Sequence, residues 1–175
     1  CPASRNNADI SKLLYLMEER MALKFHVPFI GIPFEVWQAG PVAKDVFIDL
    51  SDGPFLLKSF VKTDFRDGGT FIEAVADFDD SEFSECEIEM MDEVLAKYGN
   101  MTASELVSET HKEGTLWYRT AARAGLLEAF NKHECNNSDQ QINFTEAMSD
   151  CAAEDYRESL NIRQTANLLN AESHV

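Results

Sequence analysis

Apolar residues recur at Ile10, Leu13, Leu14, Met17 and Met21, a spacing that lines one face of a helix. Asn6 or Asn7 stands where its cap belongs, Asp9 complements the dipole in the first turn, and Pro28 closes the pattern soon after Phe25. Lys12, Glu18, Glu19 and Lys24 fall on the solvated side of this helix. His26, at its end, reads as a surface or satisfied histidine rather than a ligand.

The pattern then changes. Phe34-Glu35-Val36-Trp37-Gln38-Ala39-Gly40-Pro41-Val42 is an aromatic, extended stretch running into a Gly-Pro corner. Gly40 accepts a positive φ before Pro41 fixes its own. Pro41 suits the first turn of a helix, so a short helix is expected over Val42 to Leu50, closed by Ser51-Asp52-Gly53-Pro54. Trp37 reads first as a buried structural corner and second as part of a recognition surface.

Two arms, Ser59 to Phe65 and Thr70 to Phe78, flank Asp67-Gly68-Gly69, and the second alternates closely enough to predict a β-hairpin. Two strands are not stable alone, so the hairpin must pack on helices, with Phe34 to Trp37 as a candidate partner strand and an edge open to β-augmentation. Ser84-Glu85-Cys86-Glu87 and Thr102-Ala103-Ser104-Glu105 are capping boxes. The first opens a helix with Ile88, Met91, Val94 and Leu95 on its face and Gly99 as a left-handed stop; the second opens one that ends before Gly114. Thr115 caps a further helix that begins with Trp117 and Tyr118 and runs on as Thr120 to Phe130, where Gly125 permits either close packing or a break. Residues 131–143 are polar and read as a connector, Thr145 starts a last helical region, and Ala171 to Val175 are expected to fray.

Composition and charge narrow the chemistry. The chain has 175 residues, 45% of them hydrophobic, enough for one substantial core. Fifteen Lys and Arg stand against 31 Asp and Glu, a net charge of −16, which argues against nucleic acid or an anionic membrane as partner and favours a basic one. Cys1, Cys86, Cys135 and Cys151 form no close-set pair, so neither a disulfide framework nor a CxxC metal site is indicated and a reducing cytoplasm fits. No apolar run reaches the ~20 residues that span a bilayer, and residues 1–7 lack the apolar core of a secretion signal.

The acidic run from Asp77 to Glu89 lacks the spaced ligands and central Gly of a calcium loop, and His133-Glu134-Cys135 lacks the paired ligands of a zinc site. His111-Lys112-Glu113 has no Ser, Cys or Asp at the spacing of a nucleophile system, so His111 is expected to orient a helix end. Trp117 is expected to anchor the core. No catalytic residue, metal ligand or cofactor site is expected. Nor is a helix-turn-helix evident.

Four motifs in order resemble the Panacea antitoxin domain: Lys12-Leu13-Leu14-Tyr15-Leu16, the Phe34 to Val42 stretch, Tyr98 to Leu106, and Thr110 to Tyr118. They cover roughly residues 9–123. The family usually has a further helix before its Lys-Leu-Leu-Tyr motif, which points here to a shortened or divergent start, and it often has Pro where Leu116 stands. The resemblance singles out Tyr15, Glu35, Trp37, Gly40, Pro41, His111 and Trp117 as structural or interaction residues. It implies a non-enzymatic protein that neutralises a co-encoded protein toxin by direct binding. The alternatives are an adaptor that delivers a bound toxin or host protein to a AAA+ protease, as the SocA-like members do, and a phage-encoded interaction protein. The expected fold is mainly α with a small antiparallel hairpin, of the α+β kind. Residues 1–130 would form the Panacea-like domain, 131–143 a connector and 144–175 a helical extension.

Overall fold

A computed structural model describes residues 4–172, with side chains described as far as residue 166. The elements run β1 (Arg5–Asn6), α1 (Asn7–Phe25), β2 (Glu35–Trp37), β3 (Gly40–Val42), α2 (Lys44–Ser51), β4 (Val61–Arg66) and β5 (Gly69–Ala74). They continue as α3 (Glu85–Tyr98), α4 (Ala103–Thr110), α5 (Leu116–Arg123), α6 (Leu126–Asn131), a 3-10 turn (Phe144–Ala147) and α7 (Asp150–Glu172). The fold is mainly helical with a small antiparallel β component, as the pattern predicts.

Helix α1 runs through the middle and touches α2, α3, α4, β1, β3, β5 and the 3-10 turn. Asn6 caps it, its Oδ1 accepting the Ala8 N–H at 2.9 Å, and His26 ends it at φ 57° with its N–H on the Ala22 carbonyl. Being enclosed, α1 has no fully solvated side. Lys12 is 3% exposed and Glu18 is completely buried, against expectation, while Arg20 and Lys24 do face solvent. A helix surrounded by seven elements buries its polar positions too, and each must then find partners.

Glu18 finds four. Its carboxylate accepts the backbone N–H groups of Phe29 (3.2 Å), Ile30 (2.8 Å) and Gly31 (3.1 Å) and the hydroxyl of Tyr156 on α7 (3.4 Å). This one side chain therefore folds the 26–33 loop and seats the C-terminal helix. Burial raises its pKa, and the donors pull it back. Arg163 adds a second tether from α7, donating to the Phe29 carbonyl and to Glu87 at 3.0 Å.

The Gly-Pro corner is a hairpin, not a helix start. Gly40 at φ 116° turns the chain back so that Glu35, Val36 and Trp37 pair with Val42, Pro41 and Gly40. Pro41 is tolerated because its partner Val36 directs its own N–H the other way, to the Gln140 carbonyl at 2.9 Å, so no ladder bond is lost. The following helix begins two residues later than expected, at Lys44.

The opposite edge of β2 is filled by the polar segment expected to be only a connector. Gln38 N–H donates to the Asn136 carbonyl, Ile142 N–H to the Phe34 carbonyl, and the Ser138 hydroxyl to the Val36 carbonyl. Ile142 and Phe144 bury their side chains in the core behind it.

The expected hairpin forms, with Asp67-Gly68 alone as its turn, Gly69 in β5 and the second strand ending at Ala74 and not at Phe78. Both turn residues have positive φ, 51° and 76°, matching a two-residue turn to the strand twist. Its partner strand is β1 and not Phe34 to Trp37, giving the order β1-β5-β4. Both capping boxes form, as does the Thr115 cap. On α3 the buried residues are Glu87, Met90 and Val94; of the expected face Val94 is buried, Ile88 and Met91 are partly buried and Leu95 is exposed. Gly99 ends α3 in right-handed conformation, φ −62°, not as a left-handed stop. Gly125 at φ 71° breaks the predicted 120–130 helix into α5 and α6. The C-terminal expectation beyond Glu172 lies outside the described residues.

Candidate functional site

The residues marked by the motifs, far apart in sequence, converge on the β2–β3 corner. Trp117 on α5 is 2% exposed; its indole N–H donates to the Trp37 carbonyl at 3.2 Å, and its ring stacks with Phe130 at 6.3 Å. His111, which caps α4, lies edge-on to the same indole at 3.6 Å between ring centres. Its Nε2 faces the Gln38 carbonyl at 3.1 Å and its Nδ1 the Val107 carbonyl at 2.5 Å. A neutral imidazole donates to one of the two only. Burial nevertheless dominates and lowers the His111 pKa, with the carbonyls partly offsetting it.

Under the corner lie Lys12 and Thr110, whose Cε and Oγ1 would be 3.2 and 3.3 Å from a Cβ on Gly40. Lys12 donates to the Ala8 carbonyl at 3.0 Å; burial lowers its pKa and Asp9 partly restores it. Tyr15 is 1% exposed, meets Phe34 edge-on at 5.5 Å and donates to Glu19 Oε1 at 2.6 Å. Burial pushes the phenol well up and raises the Glu19 carboxyl as well. Pro41 is fully buried in the same assembly.

Glu35 and Trp37 mark its outer rim. The Trp37 indole donates to Glu35 Oε2 at 2.9 Å and meets Phe47 of α2 edge-on at 5.4 Å, and Lys44 lies 3.8 Å from Glu35. Trp37 is half-buried and so is neither a core anchor nor a free surface ring. Sequence reasoning found these positions but missed the tasks of Glu18, of Gln38 and of the 136–142 segment along β2. Their only signals are a carboxylate on a helix face and backbone hydrogen bonds, which leave no side-chain pattern.

His111 is thus held between two backbone carbonyls, donating to one of them, with its ring edge-on to a buried indole. Among the described residues no three His, Cys, Asp or Glu side chains gather as a metal-holding group, and no helix is long and apolar enough to cross a membrane. Cys86, Cys135 and Cys151 carry free thiols.

The outward chemistry lies elsewhere. Most of the large apolar side chains that stand exposed fall between Ile48 and Phe78, with Phe55, Leu56 and Phe65 at 75%, 74% and 75% exposure. The Phe55–Leu56 loop is not slack, because the Asp49 carboxylate accepts the N–H groups of Phe55 (3.0 Å), Leu56 (3.1 Å) and Leu57 (3.4 Å). These bonds lower the Asp49 pKa. A groove of about 310 Å³ lies between α1 and α3, lined by Arg20, Lys24, Lys97, Glu19 and Glu93. Its Glu93 already bridges Arg20 at 2.9 Å and Lys24 at 3.2 Å.

Antitoxin SocA of Caulobacter vibrioides (strain NA1000 / CB15N) is 30% identical over 114 residues, covering 64% of this chain and 57% of that relative, so the chain spans little more than half of the relative's length. No solved structure matches at a significant level. The family described as Antitoxin SocA-like, Panacea domain matches residues 10–118, which begin in α1 and end in α5 and include both strands of the corner, while Phe130 and residues 136–142, which complete it, lie beyond the match; the chain belongs to that family.

Proposed function

We propose that this chain is an antitoxin that neutralises a co-encoded protein toxin in the cytoplasm by direct binding, without catalysis and without cofactor or metal. One observation carries the reading: the family-marked residues pack together into the largely buried β2–β3 corner, while the exposed apolar side chains between Ile48 and Phe78 are displayed apart from it. Such a division suits a scaffold that presents a binding surface. The net charge of −16 favours a basic toxin and disfavours phosphate backbones.

The test is co-expression with the small reading frame adjacent to this gene. Rescue of growth, together with a stable complex from purified components, is the expected result. Rescue that requires a AAA+ protease and is accompanied by loss of the toxin would assign an adaptor instead. No rescue and no complex would overturn the reading.

A further inference from the structure

Among the described residues, the sheet β1-β5-β4 leaves one side of β4 without a neighbour strand. Arg66 and Gly69 close the two-residue turn as a hydrogen-bonded pair, so by alternation Asp64 and Lys62 also direct their backbone groups to β5. Thr63 and Phe65 therefore direct theirs outward. Val61, which points the same way, has its N–H taken by the Leu57 carbonyl at 3.0 Å, whereas no described residue bonds the amides of Thr63 or Phe65.

Edge strands normally blunt such an edge with charge. Here the charges are already engaged within the chain: Lys62 pairs with Glu73 at 3.2 Å, and the Arg66 guanidinium lies 4.4 Å over the Phe71 ring. Beside the edge stand the exposed ring of Phe65 and the preceding loop that Asp49 holds in place with Phe55 and Leu56 outward. The one base in that loop, Lys58, sits 5.6 Å over the Phe55 ring. From Lys44 to Asp92 fourteen acids accompany four bases, so an acidic incoming segment would be repelled and a basic one drawn in.

Resting on the antitoxin reading above, we propose that the toxin docks here: an extended, basic and apolar segment of it adds as a strand to the free edge of β4 and packs apolar side chains on the Phe55–Leu56 loop. Main-chain bonds to Thr63 and Phe65 set the register, and the displayed apolar side chains set the affinity.

Amide hydrogen exchange on the full chain, alone and with the purified, catalytically silenced product of the adjacent toxin gene, tests this directly. Exchange at Thr63 and Phe65 is expected to slow at least tenfold in the complex, with Lys62 and Asp64, already bonded to β5, changing far less. The Phe55→Ala/Leu56→Ala double variant, altered only at exposed side chains, should keep its melting temperature and lose at least tenfold in affinity. A complex that leaves the Thr63 and Phe65 amides unprotected, or a double variant binding within twofold of the parent, overturns the docking surface and leaves the antitoxin reading standing. Failure of the unaltered chain to bind or neutralise the toxin removes both.

Discussion

The indole N–H of Trp117 donates to the backbone carbonyl of Trp37, joining residues 80 apart in sequence at 3.2 Å. The two tryptophans thus have different tasks: Trp117 fills the core and satisfies the hairpin backbone, and Trp37 covers the rim against Phe47. Replacing a buried Trp by Ala costs about 3–5 kcal/mol, so Trp117→Ala should approach that range and Trp37→Ala, half-buried, roughly half of it. Urea unfolding of both variants checks the ranking. Equal costs would mean that the corner is held by β2 and not by α5.

Gly40 is fixed by conformation and by space together. At φ 116° an L side chain is strained, and a Cβ would press on Lys12 and Thr110 beneath the turn. Gly40→Ala should therefore cost about 1–3 kcal/mol. A Gly53→Ala control has positive φ but nothing within 4 Å of the added methyl. Comparing the two midpoints separates backbone strain from the clash, and Gly40→Ala must be the worse.

Loss of the Glu18 side chain should loosen the C-terminal helix. In Glu18→Ala the three N–H groups of Phe29, Ile30 and Gly31 and the hydroxyl of Tyr156 lose their acceptor, and each buried donor left unpaired costs about 1–3 kcal/mol. Limited proteolysis should cut the 26–33 loop and the start of α7 in Glu18→Ala before any other site. Cleavage first in the 52–60 loop would show that α7 is held chiefly by Arg163 and the apolar contacts.

His111 should make stability fall with acid in a defined window. Its pKa in the folded chain lies below the ordinary 6.5, so between those two values the unfolded chain binds more protons and stability rises with pH. The contribution is complete above 6.5 and is lost as the pH falls through 6.5 toward the folded value. Denaturant unfolding at pH 5.5 and 7.5 should show a smaller loss in His111→Gln than in the parent. The same variant, while folded, should still neutralise toxin. Lost rescue at unchanged stability and affinity would reinstate a chemical role for the imidazole.

Local signals were legible in the sequence wherever a side chain itself makes the structure. Ser84 and Thr102 cap their helices through the boxes that their spacing announces, and Asp67-Gly68 turns its hairpin as the positive-φ preference dictates. Tertiary placement was not legible. Glu18 and Lys12 look solvated on a helical wheel, because periodicity cannot report that other elements enclose α1 on nearly every side. Residues 136–142 look like a linker because their contribution to β2 is made by backbone groups and one serine hydroxyl. Pro41 misleads for a related reason: a proline is equally at home at a helix start and in a strand position whose N–H faces away from the ladder. The candidate corner was thus visible as a set of positions, and its geometry was not.

The charge asymmetry gives a kinetic prediction. With 31 acids against 15 bases, long-range attraction should steer a basic toxin to this chain, while apolar contacts and edge bonds, formed only after encounter, set how long the complex lives. Screening length falls from about 8 Å at 0.15 M salt to about 3 Å at 1 M, so added salt removes the steering and leaves short-range packing in place. Stopped-flow mixing across that range should show the association rate falling appreciably and the dissociation rate changing much less. Neutralising Asp77, Asp79 and Asp80 together, all exposed beside the hairpin, should lower the association rate at low salt and flatten its salt dependence. If the association rate ignores salt, the acidity serves solubility alone, and recognition rests on the apolar surface and the strand edge.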